Sequence, residues 1–303
     1  KTRIHMYRPQ TTTLLGGALL SGASCLLLTF IKRSAVVLDD DDFTLRNPDE
    51  NASCIALGLP TPTTAQASHV HLVKSFLSPV EIEQLVSFAR QMKHTHKVGV
   101  ATKDKGGVLS SSIQDTVWTT SFLHTNNLLE KHLPDLQKKL LNGLLAVDQE
   151  VFHVVDNNDD DDDDDDDDYK VLPLNLRTVE YHEYVPGGNL KEQLHYDAGS
   201  LITIDILLED DFVGGELAFP EIDGSTTVIG SDQFQKGDAA FFVSHKYHNV
   251  SPITSGKRTV LVCELWRGPQ KCCPHRCKRL GNCTYSLGRS HLEQSREHLS
   301  ILG

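Results

Sequence analysis

The chain has no basic domain, because 41 Asp and Glu outnumber 29 Lys and Arg among its 303 residues and leave a net charge of -12. Proteins that bind nucleic acid by neutralising phosphates need a basic face, so this class is excluded. Long apolar runs are also scarce, since residues 14–31 form the one run near the length of a membrane span, which excludes a polytopic membrane protein. With 21 Gly and 39% hydrophobic residues, neither collagen nor disorder throughout the chain fits the composition.

The negative charge is concentrated in two places. Residues 159–168 are ten consecutive Asp and residues 39–42 are four more, and the remaining charges nearly balance. Blocks of like charge are typical of self-repelling, solvated loops, so residues 151–170 are predicted to be an acidic loop insertion. Loose Ca²⁺ binding or attraction of a basic partner is the alternative. The acidic total therefore says little about a substrate.

The N-terminal segment predicts a membrane anchor. The uncharged run 14–31 is preceded by Lys1, Arg3 and Arg8 and followed directly by Lys32. Positive charge before the run, with acidic residues beyond it, favours an orientation with the N-terminus inside. Residues 1–35 are therefore predicted to be a single-pass membrane anchor. The catalytic domain would then lie in the lumen of the endoplasmic reticulum or Golgi. A cleaved targeting peptide, giving a secreted or organellar protein, is the alternative.

Helices precede strands in the predicted fold. Residues 36–68 are rich in Pro, Thr and Ser without periodicity and are predicted to be a linker. Residues 69–150 are predicted to be a helical support region, with a helix starting at the capping box Ser78 to Glu81 and another over 134–147. Beyond residue 171, short apolar runs alternate with Gly, Pro and Asp. These runs predict strands at 179–184, 201–208, 216–219, 226–229, 239–243 and 259–266. The chain is therefore predicted to be α+β, with an all-β sandwich or barrel over residues 171–268.

Three residues in the strand region predict a metal site. His195 and Asp197 are two positions apart, so in a strand their side chains would lie on the same face. His248 follows 51 positions later, after several strands that could return it to the same core. Two His and one carboxylate form the facial triad of non-haem Fe(II) oxygenases, which leaves coordination positions open for reactants. His245 is a rival for the third ligand.

The residues after His248 predict an anion site beside this metal face. Pro252, Gly256 and Arg258 follow at four, eight and ten positions. A turn at 254–256 and a returning strand would bring Arg258 back to the metal face. Because an arginine fork binds a carboxylate through two parallel hydrogen bonds, a buried Arg258 predicts a dicarboxylic co-substrate.

Taken in order, these motifs resemble the Fe(II)/2-oxoglutarate dioxygenases of the prolyl 4-hydroxylase type. The matching elements are Tyr184-Val-Pro-Gly-Gly, His195-Tyr-Asp197, Gly214-Gly-Glu-Leu-Ala-Phe-Pro220, Lys236-Gly-Asp-Ala-Ala-Phe-Phe242 and the segment 248–258. The resemblance implies a double-stranded β-helix (jelly-roll) core with supporting N-terminal helices. It also implies iron held by His195, Asp197 and His248, with Arg258 and Tyr184 binding 2-oxoglutarate. Tyr181 lies close to Tyr184, and residues 204–208 offer no equivalent of a second Tyr or Thr found in some relatives.

The function implied by this resemblance is hydroxylation of a peptidyl substrate, proline to 4-hydroxyproline, with release of succinate and CO₂. The expected partners are a peptidyl-proline or other protein substrate, O₂, 2-oxoglutarate and the membrane, with no nucleic acid. Fe(II) is the expected cofactor and L-ascorbate the expected reductant. The alternatives are the same chemistry on another residue or a small molecule, and a catalytically silent β-barrel binding module.

The cysteines are concentrated near the C-terminus. Of seven Cys, Cys25 lies within the apolar run, which leaves six. These six are Cys54, Cys263, Cys272, Cys273, Cys277 and Cys283. In a lumenal protein an even set predicts disulfides, and six Cys allow 15 pairings. A zinc site using His275 in the Cys-rich tail, residues 269–303, is the alternative. Asn51 and Asn282 are candidate glycosylation acceptors, which agrees with a lumenal location.

Overall fold

The computed structural model describes residues 62–105, 107–108, 110, 114–155, 172–277 and 283. The predicted anchor at 1–35, most of the predicted linker and the Asp run at 159–168 lie outside these residues. Within the part of the chain that the structure describes, no helix is long and apolar enough to span a membrane.

Four α-helices and thirteen strands make up the described fold. The helices are α1 (Pro62–Ala67), α2 (Pro79–His94), α3 (Leu128–His132) and α4 (Pro134–Val147). The early strands are β1 (His71–Val73), β2 (Gly99–Lys103), β3 (Trp118–Phe122), β4 (Leu174–Tyr184), β5 (Leu190–His195) and β6 (Ile202–Glu209). The later strands are β7 (Phe212–Gly214), β8 (Leu217–Pro220), β9 (Thr226–Ile229), β10 (Ala239–Val243), β11 (His248–Val250), β12 (Ile253–Gly256) and β13 (Arg258–Arg267).

The strands form antiparallel sheets. A seven-stranded sheet has the order β1-β10-β6-β13-β4-β3-β2, a four-stranded sheet has the order β5-β11-β8-β9, and β12 pairs with β7. Strands that are distant in sequence become neighbours, as where β13 lies between β4 and β6. The predicted α+β class with a jelly-roll core is confirmed.

Each face of the seven-stranded sheet carries an apolar core. The first core joins the sheet to helices α2, α3 and α4. Its buried members include Ile82, Leu85, Leu129, Leu140, Tyr181, Ile204, Phe241 and Leu261. The second core lies between this sheet and the four-stranded sheet. Its members include Trp118, Tyr184, Leu207, Phe219, Ile229, Phe242, Val250 and Val260. Because strand residues alternate between faces, neighbours such as Leu207 and Ile206 belong to opposite cores.

Both predicted helices are present with the predicted starts. The Ser78 hydroxyl accepts from the backbone of Glu81, whose carboxylate accepts from the backbone N–H of Ser78, so the capping box is complete. The second helix begins at Pro134 and ends at Val147, as predicted. It packs on β6 and β13 through its buried leucines.

Two predicted segments contain regular structure that their descriptions did not include. The end of the predicted linker 36–68 is helix α1, whose Gln66 accepts from Tyr247 N–H at 3.0 Å and donates to the carbonyl of His245 at 2.9 Å. These contacts, distant in sequence, hold a segment that has no periodic apolar face. The predicted helical support region 69–150 also contains strands. Strand β1 lies in the apolar run 69–76, whose sequence is strand-like, whereas β2 and β3 extend the seven-stranded sheet without such a signal.

The predicted turn at 254–256 is instead strand β12, which pairs with β7. The chain still changes direction at Gly256, which has a φ of +75°. A Cβ there would lie 2.1 Å from the carbonyl oxygen of Asp211, so only glycine fits this approach.

Asp238 ties β1 to the loop before β10. Its carboxylate accepts from the backbone N–H of Ser75 and of Gln235, each at 2.9 Å, and pairs with Lys74 at 2.8 Å. Burial alone would raise the pKa of Asp238, but these donors outweigh burial and hold the pKa below its usual range. We expect Asp238→Asn to lower the free energy of unfolding by about 1–3 kcal/mol, measured by denaturant unfolding at pH 7.

The pH dependence of Asp238 provides the control. Since its pKa is lowered by folding, its stabilisation is present above the unfolded pKa and is lost as pH falls through the folded pKa. The deficit of Asp238→Asn should therefore shrink in acid. The exposed Asp232→Asn in the same loop should change stability little. Equal effects of the two substitutions would contradict this role for Asp238.

Candidate metal centre

His195, Asp197 and His248 converge at the end of the second core. His195 ends β5 and His248 begins β11, and the two residues face each other across the antiparallel pair. One ligand atom from each of the three residues lies within 4.8 Å of the other two. Asp197 joins both rings, with Oδ1 at 3.5 Å from His195 Nε2 and Oδ2 at 3.8 Å from His248 Nε2. The three predicted metal ligands therefore share one site.

Asp197 reaches this site by a different route from the predicted one. Strand β5 ends at His195, so Asp197 is not on the same strand face. Its backbone N–H instead donates to the carbonyl of Ser244 at 2.8 Å. The Thr203 hydroxyl donates to Asp197 Oδ2 at 2.7 Å, which fixes the carboxylate. The link to the segment after β10, rather than strand alternation, brings the carboxylate to the imidazoles.

The His248 ring is oriented for binding through Nε2. Its Nδ1 lies 3.0 Å from the backbone carbonyl of Lys246, which can only accept, so Nδ1 carries the proton. Burial lowers the pKa of His248 and favours the neutral ring. The lone pair of Nε2 therefore points towards Asp197, as a metal ligand held by an outer hydrogen bond requires.

His195 is the more open member of the site. Its side chain is 31% exposed, whereas those of Asp197 and His248 are buried. Burial alone would lower the pKa of His195, but hydrogen bonds to Asp197 and Glu192 outweigh it and raise the pKa to about 9. Burial likewise opposes ionisation of Asp197, yet the neighbouring imidazoles hold its pKa below the usual range. Without a metal the carboxylate thus carries the negative charge that attracts a cation.

His245, the rival ligand, lies outside this group. Its Nε2 accepts from the backbone N–H of Gly199 at 3.2 Å, and its ring contacts Tyr196 with centroids 5.3 Å apart. His245 is buried rather than at a rim. It therefore contacts the turn after Asp197 instead of joining the His195 and His248 rings.

Arg258 and Tyr184 lie beside each other on the wall of the second core. They pair across β13 and β4, and the Arg258 guanidinium carbon is 5.8 Å from the centre of the Tyr184 ring. Arg258 is 1% exposed, and its Nη1 is a buried donor without a hydrogen-bond partner among the described residues. Tyr184 also stacks on Trp118, with ring centroids 5.0 Å apart. Tyr181, by contrast, belongs to the helix-facing core.

Asp205 is a site residue that the sequence did not predict. Its Oδ2 pairs with Arg258 Nη2 at 3.3 Å, and Asp205 is 4% exposed. Thr203 and Asp205 lie two positions apart on β6 and face the same core, which separates them by roughly 7 Å along the strand. Since the Thr203 hydroxyl donates to Asp197 and Asp205 pairs with Arg258, strand β6 places Arg258 close to the candidate metal ligands. A charged residue within the apolar strand 202–208 was the available signal.

A buried polar row continues along β4 next to Tyr184. His182 Nδ1 accepts from Trp118 Nε1 at 3.0 Å, and its Nε2 lies 3.3 Å from the carboxylate of Glu180. Glu180 also accepts from Thr178 at 2.9 Å. Polar residues at every second position in an interior strand indicate a polar inner wall, a pattern that was hidden within the predicted strand.

No protein-family model and no curated protein matches the chain. Similar solved structures include 2OG-Fe(II) oxygenases and prolyl hydroxylases. A Burkholderia pseudomallei oxidoreductase of the 2OG-Fe(II) oxygenase family is 13% identical with a TM-score of 0.41, covering 73% of this chain and 91% of its own. A Pseudomonas putida prolyl-4-hydroxylase is 13% identical with a TM-score of 0.43, covering 69% and 97%. A Trichoplax adhaerens prolyl hydroxylase, in complex with a hypoxia inducible factor peptide fragment, is 11% identical with a TM-score of 0.45, covering 74% and 94%.

Proposed function

We propose that the chain is an Fe(II)- and 2-oxoglutarate-dependent dioxygenase that hydroxylates a peptidyl substrate, proline to 4-hydroxyproline. The observation that carries this proposal is the pairing of a two-His, one-carboxylate site with a buried arginine on the same inner wall. The donor set of His195, Asp197 and His248 is the one that non-haem Fe(II) oxygenases use.

The arginine site supports the dicarboxylic co-substrate. Asp205 occupies only part of the guanidinium, which has five N–H donors in a fork. Nη1 of Arg258, a buried donor without a partner among the described residues, is left to bind a carboxylate of the co-substrate. A ligand that contacts Arg258 at one end and the metal at the other needs two anionic ends separated by a short chain, which 2-oxoglutarate has.

Bound Fe(II) would supply the O₂ activation that couples decarboxylation of 2-oxoglutarate to substrate hydroxylation. The chain's own residues would bind the co-substrate and orient the metal ligands. Arg258 would hold the far carboxylate, and Tyr184, whose ring centre lies 5.8 Å from the Arg258 guanidinium carbon, would bind the same co-substrate. Thr203 keeps Asp197 in place, and the Lys246 carbonyl keeps Nε2 of His248 aimed at the site.

The open side of the site supports a peptidyl substrate. His195 is partly exposed, and the adjacent Leu194 is 58% exposed, so a segment of another chain can reach the metal ligands from the β5 side. Anchoring through residues 14–31 with the catalytic residues in the lumen is part of the same proposal.

Succinate release from the full chain tests this function. With Fe(II), ascorbate and 2-oxoglutarate, we expect proline-rich peptides to stimulate succinate formation in step with a gain of one oxygen per hydroxylated residue. His195→Ala and Asp197→Ala should each remove both signals, because each deletes a metal ligand. Absence of 2-oxoglutarate turnover with every acceptor would sink the enzyme proposal. Turnover coupled only to a non-prolyl acceptor would overturn the prolyl assignment alone.

A further inference from the structure

A second group of metal-binding side chains lies outside the proposed catalytic site. Cys273, His275, Cys277 and Cys283 each offer one ligand atom, and these four atoms all lie within 4.8 Å of one another. The Cys283 Sγ is 3.7 Å from His275 Nε2. Cys273 and Cys277 are buried. Three thiols and an imidazole thus converge on one point.

The separation of Cys283 and His275 matches the one expected in a tetrahedral zinc site. With Zn–S bonds of about 2.3 Å and a Zn–N bond of about 2.0–2.1 Å, tetrahedral angles place a sulfur and a nitrogen ligand about 3.6 Å apart. The distance from Cys283 to His275 is 3.7 Å. We propose that Cys273, His275, Cys277 and Cys283 bind a structural zinc ion.

A disulfide explains the cluster less well. Among the residues that the structure describes, none of the five cysteines forms a disulfide, so the predicted bridges are not formed within this set. One disulfide would use two of the three clustered sulfurs and give no role to the third or to His275. Three thiolates and one imidazole, in contrast, are a complete ligand set for structural zinc, with no position left open for a reactant.

The loop that carries these ligands is docked on the fold by its backbone. The carbonyl of Cys272 accepts from Asn126 N–H at 2.9 Å, and that of Cys277 accepts from Arg177 Nε at 3.0 Å. A Cβ on Gly99 would lie 1.8 Å from the Pro274 carbonyl oxygen, so the loop approaches β2 as closely as glycine allows. Zinc bound by side chains of this loop would restrict the conformation of the loop and thereby also stabilise its contacts with β2 and β4.

Two arginine side chains connect this loop to the proposed catalytic site. Arg276, between two of the ligands, pairs with buried Glu264 at 2.7 Å and donates to the carbonyl of Ala198 at 3.1 Å. Arg177 also donates to Ala198 and to Ser200. Ala198 directly follows Asp197. Zinc in the cluster would hold Arg276 in place and thereby support the turn that carries the proposed iron ligand.

Metal analysis of the full chain tests the zinc site. After exposure to zinc and removal of unbound metal, we expect Cys273→Ser to hold about one zinc per chain less than the parent. The matched control is Cys272→Ser, because Cys272 is the exposed neighbour outside the cluster and should retain the parent's zinc. Chelation of this zinc should lower Tm in the parent and in Cys272→Ser, and not in Cys273→Ser.

Two further measurements distinguish zinc binding at the cluster from metal binding at the proposed iron site and from a folding defect. His195→Ala should keep the cluster zinc, since it changes only the proposed iron site. The Co(II)-loaded parent should show thiolate-to-metal charge transfer, and this signal should persist in His195→Ala. Equal zinc in Cys273→Ser and Cys272→Ser, absence of the charge-transfer band, or a disulfide among the clustered cysteines found by mass spectrometry would overturn the proposal. None of these outcomes depends on dioxygenase activity.

Discussion

Arg258→Ala is expected to raise the KM for 2-oxoglutarate by at least about 30-fold while leaving iron content at the parent level. Removing one partner of a buried, hydrogen-bonded charge pair costs about 2–5 kcal/mol, and 2 kcal/mol corresponds to roughly 30-fold in affinity. Arg258 is 1% exposed, so water cannot replace its guanidinium N–H donors at the far carboxylate of 2-oxoglutarate. The measurement is succinate release against 2-oxoglutarate concentration, with iron content determined on the same samples.

Two variants separate the role of the fork from that of charge. Arg258→Lys keeps the positive charge but not the planar pair of donors, so we expect an intermediate KM. Lys257→Ala removes the neighbouring cation, which pairs with Glu209 at 2.9 Å and Glu183 at 3.4 Å. Its side chain is 34% exposed, and we expect the parent's KM.

Folding is the main competing explanation for an Arg258 defect, because the substitution leaves Asp205 buried without its partner. An Arg258→Ala chain that retains iron and Tm near the parent value, yet loses affinity for 2-oxoglutarate, assigns the effect to co-substrate binding. An unchanged KM in a folded Arg258→Ala chain would refute the assignment.

Much of the β-core could be predicted because its strands are short apolar runs separated by turn residues. The predicted strands at 226–229 and 239–243 match β9 and β10, and β13 extends one residue beyond the predicted 259–266 at each end. Strands β2 and β3 were not predicted. Three of the five residues in Trp118–Phe122 are Thr or Ser, and these become strand by pairing with β4, a partner more than 50 positions away. Such pairing depends on the assembled sheet and leaves little local signal.

The residues of the candidate site also fall into two groups: those that local sequence spacing predicts and those that only the assembled fold brings to the site. His195, Asp197, His248 and Arg258 belong to ordered motifs that local spacing reveals. Asp205 is assigned to the site by its pairing with Arg258, which is 53 positions away. Arg276 is similar, since only the docking of the Cys-rich loop brings it to Ala198. Residues that support a site from another strand or loop carry no spacing signature, so sequence patterns find the ligands before the groups that hold them.

His248→Ala is expected to weaken Fe(II) binding by more than about 100-fold and to abolish succinate release. Loss of an outer partner of a metal ligand already costs about 10–100-fold, and loss of the ligand itself should cost more. His248 faces His195 across the β5 and β11 pair, with ring centroids 4.9 Å apart, so its position cannot be filled by a neighbouring side chain without moving a strand. Iron content and Fe(II) titration of the full chain measure the effect.

His245→Gln is the matched comparison for His248→Ala. The glutamine carbonyl can still accept from Gly199 N–H, the role that His245 Nε2 has in the structure, so iron should be retained. If His245 were the third ligand, the pattern would reverse, with iron lost in His245→Gln and kept in His248→Ala. Retention in both variants would remove the facial triad and with it the chemical basis of the proposed oxygenase. The Lys246 carbonyl favours the first pattern, because it fixes the proton on Nδ1 of His248 and leaves Nε2 to bind metal.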